Sequence, residues 1–356
     1  MDREMLGDNS VAASRGSAGK ALSRFTNATM LVCAQDSIYI LANEPALVRV
    51  DRLLDECKVE AALVLVDKAL ASDASLNTHM DEVAYCFQKA GAVCLKSMLL
   101  DDALQHFRRG NLDPRALLHL FPEYSRYLGP LLIPFGRIPM ASGLRDVFYA
   151  IGDINSLVDA GAKLMCGESE DQLELLKQTL RDNAREMLER YIEYARLQMS
   201  LPKQPFAPDS VPVIDTVLAR MYAESSQHDK LSTMIMASDN NIVEDFASDY
   251  FLQTNRYYYC SLFKKARKDT QGVLDMWRKL LTGEWDDKEF GGLPEYLEYI
   301  QIANNQQILL NEYYWLVTFD IGASLQVLMY LTDESVVTID ADKVIKEIEP
   351  YGDEPL

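Results

Sequence analysis

The sequence predicts an all-α fold: an α-solenoid of stacked antiparallel helical hairpins, with one short β-hairpin near the start. Three observations predict it. The first is a helix–corner–helix pattern between Ala92 and Tyr124. Leu100, Ala103, Leu104 and Phe107 fall at i, i+3, i+4 and i+7, one apolar stripe on a helix. Arg108 and Arg109 suit the negative end of that helix, and Gly110 is expected to end it as a left-handed cap. Asp113 then serves as N-cap, Pro114 fits the first turn, and a short helix from Arg115 to Leu120 stops before Pro122. The second observation is an internal repeat. Glu60-Ala61-Ala62-Leu63 with Val66 matches Asp101-Asp102-Ala103-Leu104 with Phe107 at an offset of 41 residues, and Gln271-Gly272-Val273-Leu274 with Trp277 is a looser copy. The third is helical periodicity from Val48 over most of the remaining chain.

Taken in order, residues 1–24 are rich in Ser, Gly, Ala and Asn, carry no periodicity and are expected to be disordered. Gly16, Gly19 and Lys20 lack the spacing of a phosphate loop, and no strand precedes them. Met30 to Leu41 reads as two short strands around Gln35, Asp36 and Ser37, with Pro45 at the junction to the helices. Tyr124 to Gly143, punctuated by Gly129, Pro130, Pro134, Gly136 and Pro139, reads as a loop or broken helix. Its Tyr124, Tyr127, Leu131, Leu132 and Phe135 are expected to fold back on the array, a partner site being the alternative. Ser169 to Met199 is the longest clean helix, opened by a capping box of Ser169 and Gln172. Leu201 to Pro212 holds four prolines and reads as a linker. Asp215 to Met236 gives two short helices broken around Ser225 to His228, and an aromatic-rich stretch runs from Ile242 to Lys265. Tyr257, Tyr258 and Tyr259 cannot share one side of a helix, so most of these aromatics are assigned to the core. Gly283 to Gly292 is an acidic loop, Leu293 to Leu331 is helical, and a last short helix spans Asp342 to Ile348.

Composition narrows the function. Hydrophobic residues make up 48% of 356 residues, enough for a real core, while a net charge of −19 argues against nucleic-acid binding as the main role. Cys33, Cys57, Cys86, Cys94, Cys166 and Cys260 form no C-x-x-C pair, which fits a reducing, cytosolic setting, and Cys57 and Cys94 are read as small packed groups. The N-terminus has no apolar signal segment. The most apolar window, Tyr313 to Leu331, contains Asp320, Gly322 and Gln326 and is read as a buried helix rather than a membrane span.

No catalytic constellation emerges. His79, His106, His119 and His228 have no metal-ligand partner at i+3 or i+4, and the His106–Asp113–His119 grouping is better explained by helix flanks and ends. No nucleophile elbow, kinase signature or dinucleotide loop is present. The reading is therefore no catalytic residue, no cofactor and no metal.

Three runs carry a family resemblance. DDALQHFRRGNLDPRALLHLFPE, VDRLLDECKVEAALVLVDKAL and VIDTVLARMYAESSQHDKLSTMI resemble segments of the helical region of the vacuolar sorting protein 39 and transforming growth factor-β receptor-associated protein family, and look closer to the receptor-associated branch. Mapped on this chain, the family pattern falls on Ala103, Leu104, Phe107, Asp113, Pro114, Leu120, Pro122, Asp215 and Thr216. The resemblance implies a non-catalytic scaffold subunit of CORVET or HOPS-like tethering complexes, cytoplasmic and peripheral on endosomal, vacuolar or lysosomal membranes. Its implied partners are the class C tethering core subunits and a Rab-type GTPase, with TGF-β receptors or Smad proteins for the receptor-associated branch. It also implies that the β-hairpin is the remnant of a propeller and that the array continues past residue 356. The expected division is a tail at 1–24, the hairpin at 25–45, a first helical module at 46–125, a connecting loop and long helix at 126–210, and a second module at 211–356. The rivals are a generic helical-repeat adaptor or coat-like protein and, less favoured, an α/α-toroid enzyme with paired buried carboxylates.

Overall fold

The computed structural model describes residues 29–33, 38–42, 46–72, 80–165, 170–303 and 305–334. The N-terminal tail, the Gln35–Ser37 turn, Ser169 of the expected capping box and the terminal helix expected at 342–348 lie outside the described residues. Strand β1 (Thr29–Cys33) pairs antiparallel with β2 (Ile38–Ala42), Leu31 opposite Ile40. All other regular structure among the described residues is helical.

The chain divides into two compact units, Met1–Met221 and Tyr222–Leu356. In the first, α1 (Ala46–Asp55), α2 (Val59–Ser72), α3 (Met80–Lys96) and α4 (Leu100–Gly110) pack mainly with their chain neighbours. The short helices α5 (Pro114–Leu118) and α6 (Pro122–Leu128) come next. The stretch read as a loop or broken helix holds the end of α6 and two single 3₁₀ turns, Gly129–Leu131 and Phe135–Arg137, which lead into α7 (Ser142–Ile151). Then come α8 (Ile154–Met165) and the 30-residue α9 (Glu170–Met199), which packs along α8, α4 and α5. Helix α10 (Val211–Glu224) is preceded by a 3₁₀ turn at Pro208–Ser210. The second unit holds α11 (His228–Met236), α12 (Glu244–Gln253), α13 (Tyr257–Ala266), α14 (Thr270–Leu281), α15 (Leu293–Ala303), α16 (Gln306–Phe319) and α17 (Ile321–Glu334). The apolar window around Tyr313 is thus split at Asp320, and no described helix is long and apolar enough to cross a membrane.

One backbone device recurs. Cys57, Met98, Asn111, Ser226, Asn255 and Lys268 all have positive φ, between 46° and 61°. Each ends a helix with the same pair of bonds. At Met98, for example, its own N–H reaches the Leu95 carbonyl and the next N–H, of Leu99, reaches Cys94. This is the Schellman arrangement, which uses up carbonyls that the helix end leaves over. The repeat units come directly after these corners. Ala62 and Val66 come after Cys57, Ala103, Leu104 and Phe107 after Met98, and Val273, Leu274 and Trp277 after Lys268, all of them buried.

Two expectations need correction. The left-handed residue after α4 is Asn111, not Gly110. Gly110 is helical and buried, and a Cβ there would lie 2.8 Å from the Ala84 carbonyl oxygen on α3, so glycine serves close helix approach rather than backbone freedom. Cys57, read as a packed group, is instead exposed at the corner after α1. Cys86, Cys94 and Cys260 are buried, and burial pushes their thiols up to about 12, 11 and 12, so they pack as small apolar groups.

The left-handed conformation costs an L residue about 1 kcal/mol or more, which glycine escapes. Lys268→Gly and Ser226→Gly are therefore expected to raise unfolding free energy by about 0.5–1 kcal/mol each in urea titrations. Lys268→Val is expected to lower it, and stabilisation by valine would contradict the corner geometry.

Candidate functional site at the helix corner

Seven of the nine family-pattern residues, from Ala103 to Pro122, lie in or beside the corner between α4 and α5, while Asp215 and Thr216 lie on α10. Ala103, Leu104 and Phe107 are buried, and the Phe107 ring lies where a Cβ on Gly91 would be 2.6 Å away, so the small residue on α3 admits the large one on α4. Phe107 also meets Phe148 of α7 at 6.3 Å and the edge of Tyr191 of α9 at 6.2 Å. Asp113 caps α5 by accepting from the Arg115 backbone N–H at 3.0 Å, with Pro114 in the first turn. Its carboxylate also takes the Arg115 guanidinium at 2.7 Å, and the opposite nitrogen of that group reaches Asp209 at 2.8 Å. Arg115 is 1% exposed, a buried cation with two carboxylates. Leu120 is buried and its carbonyl accepts from Ile154 at 2.8 Å, fixing the start of α8. Pro122 opens α6 rather than only closing α5.

Helix α9 completes the corner. The Tyr191 hydroxyl donates to the Leu112 carbonyl, Tyr194 donates to the Arg108 carbonyl at 3.1 Å, and Gln88 of α3 donates to Gly110 at 2.7 Å. Total burial holds the Tyr191 hydroxyl well above the ordinary phenol range, so it remains a donor. The basic residues of α9 reach acidic ones on other elements: Arg185 reaches Glu123, Arg190 reaches Asp101, and Arg196 reaches the buried Asp215 at 2.9 Å. Thr216, beside Asp215, is fully buried. Sequence reasoning missed Arg115, Asp209 and Arg196. Only Arg115 carried an advance signal, a charged residue set against the apolar run Ala116-Leu117-Leu118.

These contacts hold helices together. Among the described residues no group of three His, Cys, Asp or Glu is placed to hold a metal ion. His119 turns its Nε2 to the Ile133 carbonyl at 2.8 Å, and burial lowers the affinity of His106 for a proton. In the second unit Glu289, His228 and Tyr259 stand in carboxylate–imidazole–hydroxyl order. Tyr259 is 0% exposed and burial raises its hydroxyl well above the ordinary range, so this chain of groups lacks an accessible nucleophile. The acidic loop 283–292 is fastened to the same unit. Trp285 stacks on Tyr257 at 4.5 Å, Asp287 accepts from the Tyr258 backbone N–H at 2.7 Å, and Phe290 packs against Trp277. Tyr257, Tyr258 and Tyr259 thus serve three different contacts.

The class defined by fold and site is a predominantly helical protein of stacked hairpins whose pattern residues build packing. Comparison with known proteins sharpens this. No family model matches the chain, and no solved structure does. The chain is 22% identical over 329 residues to the transforming growth factor-beta receptor-associated protein 1 homolog of Danio rerio, covering 91% of this chain and 34% of that protein. It is 22% identical over 327 residues to the Mus musculus transforming growth factor-beta receptor-associated protein 1, covering 90% and 34%. To vacuolar protein sorting-associated protein 3 of Schizosaccharomyces pombe it is 23% identical over 309 residues, covering 84% and 33%. The resemblance read from the motifs therefore extends over nearly the whole chain, at the level of the family, and the chain spans about a third of the length of these relatives.

Removing a buried charge partner strands the other. Arg115→Met is expected to lower unfolding free energy by about 3 kcal/mol because Asp113, only 10% exposed, loses its cation, whereas Asp209→Asn, at the exposed end, is expected to cost about 1 kcal/mol or less. Equal effects of the two in urea titrations would show that Arg115 is not the anchor of the corner.

Proposed function

We propose that this chain is a non-catalytic scaffold subunit of a vesicle-tethering complex of the CORVET or HOPS kind, acting in endosomal and vacuolar or lysosomal trafficking. One observation carries the reading. The three motifs occur in family order inside a similarity that covers 84–91% of the chain and joins it to proteins named for vacuolar sorting and for TGF-β receptor association. Stacked helical hairpins offer long surfaces for partner proteins, and the pattern residues Ala103, Leu104, Phe107, Asp113, Pro114, Leu120, Pro122, Asp215 and Thr216 keep such a stack in register.

On this reading the helical modules at 46–125 and 211–356 belong to a longer rod, with the hairpin at 25–45 marking a propeller junction. The partners are class C core subunits and a Rab-type GTPase, reached from the cytoplasmic side of endosomal or vacuolar membranes. A TGF-β receptor or Smad association is the second partner class that the receptor-associated relatives bring to the proposal.

The test is an affinity pull-down of the tagged chain from cytosol, read by mass spectrometry, with circular dichroism showing that the bait is folded. Recovery of the class C core subunits is the expected result. A folded helical bait that recovers none of them would remove the tethering role and favour a generic helical adaptor.

A further inference from the structure

The ridge between Glu123 and Asp146 stands apart electrically. Residues 124–145 contain Arg126, Arg137 and Arg145 and no carboxylate, although 54 carboxylates in 356 residues would put about three in such a stretch. Elsewhere in the first unit, Arg109, Arg181, Arg185, Arg190 and Arg196 each face an acidic side chain. Arg126 and Arg137 are exposed and, among the described residues, their side chains make no ion pair, hydrogen bond or ring contact. Arg145 gives one nitrogen to the Ile138 carbonyl at 3.1 Å, and its Nε is buried without an acceptor. Asp146, the next residue on α7, is exposed about a quarter-turn away and pairs with none of them.

The ridge is held in shape. Leu132 and Ile138 are buried, and His119 donates to the Ile133 carbonyl. Phe135 meets His119 edge-on at 5.5 Å and Tyr149 at 5.0 Å. Tyr149 lies one turn after Arg145 on α7 and is 61% exposed. Arg137 and Arg145 therefore flank the Ile138 segment beside a part-exposed aromatic pair, while Arg126 adds to the positive field of the same stretch.

We propose that this ridge docks an acidic, extended polypeptide segment of another protein. Its carboxylates pair with Arg137, Arg145 and Arg126, and an apolar side chain of the segment rests on Phe135 and Tyr149. Charge complementarity selects this occupant. A second copy of the chain brings a net charge of −19 against another −19, and an anionic bilayer meets the whole acidic body, whereas a narrow peptide meets only the ridge within a Debye length. The assignment stands on charge and packing and does not depend on the tethering role.

The experiment measures fluorescence anisotropy of a labelled peptide of alternating Glu and Leu against the full chain. The expected result is binding that weakens with salt, with Kd raised roughly tenfold by the pair Arg126→Glu and Arg137→Glu and unchanged by the charge-matched pair Lys203→Glu and Lys288→Glu. Circular dichroism checks each fold, and Arg126→Gln with Arg137→Gln replaces the first pair if it fails to fold. No binding, equal loss in the charge-matched pair, or tighter binding to phosphatidylserine vesicles than to the peptide would each overturn the assignment.

Discussion

A helix that turns sharply leaves carbonyl oxygens with no partner, and the first unit is arranged around meeting that demand. At the end of α4 the Phe107 and Arg108 carbonyls accept backbone N–H groups from Leu112 and Asn111. The Arg108, Gly110 and Leu112 carbonyls then take side-chain donors from Tyr194, Gln88 and Tyr191. Two of those donors sit on α9, some eighty residues later in the chain. The corner therefore fixes where α9 lies, and α9 in turn reaches Asp101, Glu123 and Asp215 on three other helices. Burial of Phe107 against Gly91, Phe148 and Tyr191 supplies the apolar side of the same junction.

The second physical problem is acidity. A carboxylate drawn partly or wholly out of solvent is tolerable only with partners. Each unit shows the same solution, a carboxylate shared between a tyrosine hydroxyl and a cation. Asp51 takes Tyr85 at 2.7 Å and Lys89 at 2.6 Å in the first unit. In the second, the fully buried Glu312 takes Tyr296 and Arg278, with Trp315 against the guanidinium. In each case burial, with the adjacent carboxylate adding to it, drives the tyrosine far above its ordinary range, so the hydroxyl stays a donor at any physiological pH.

Much of this was legible in the sequence, and the exceptions have physical reasons. The apolar stripe of α4, the capping Asp113, the break near Ser225 and the offset of 41 between repeat copies are local properties and could be read directly. The corners at Cys57, Met98 and Lys268 could not, because a left-handed residue that is not glycine has no sequence mark. Gly110 misled for the converse reason, since the absence of a side chain serves close packing as well as positive φ. The 3₁₀ turns were masked by Pro130 and Pro134, which sit at turn starts. The pairing of Arg115 with Asp209, 94 residues away, depends on the fold and was beyond periodicity.

The central claim is that the α4–α5 corner and α9 form one cooperative unit tied through Tyr191. Native-state hydrogen exchange at increasing denaturant tests it most directly. The amides of α4, α5 and the middle of α9 should open together, with one common free energy and denaturant slope, and Tyr191→Phe should lower that free energy for all of them alike. Separate opening of α9, with the corner still protected, would contradict the account.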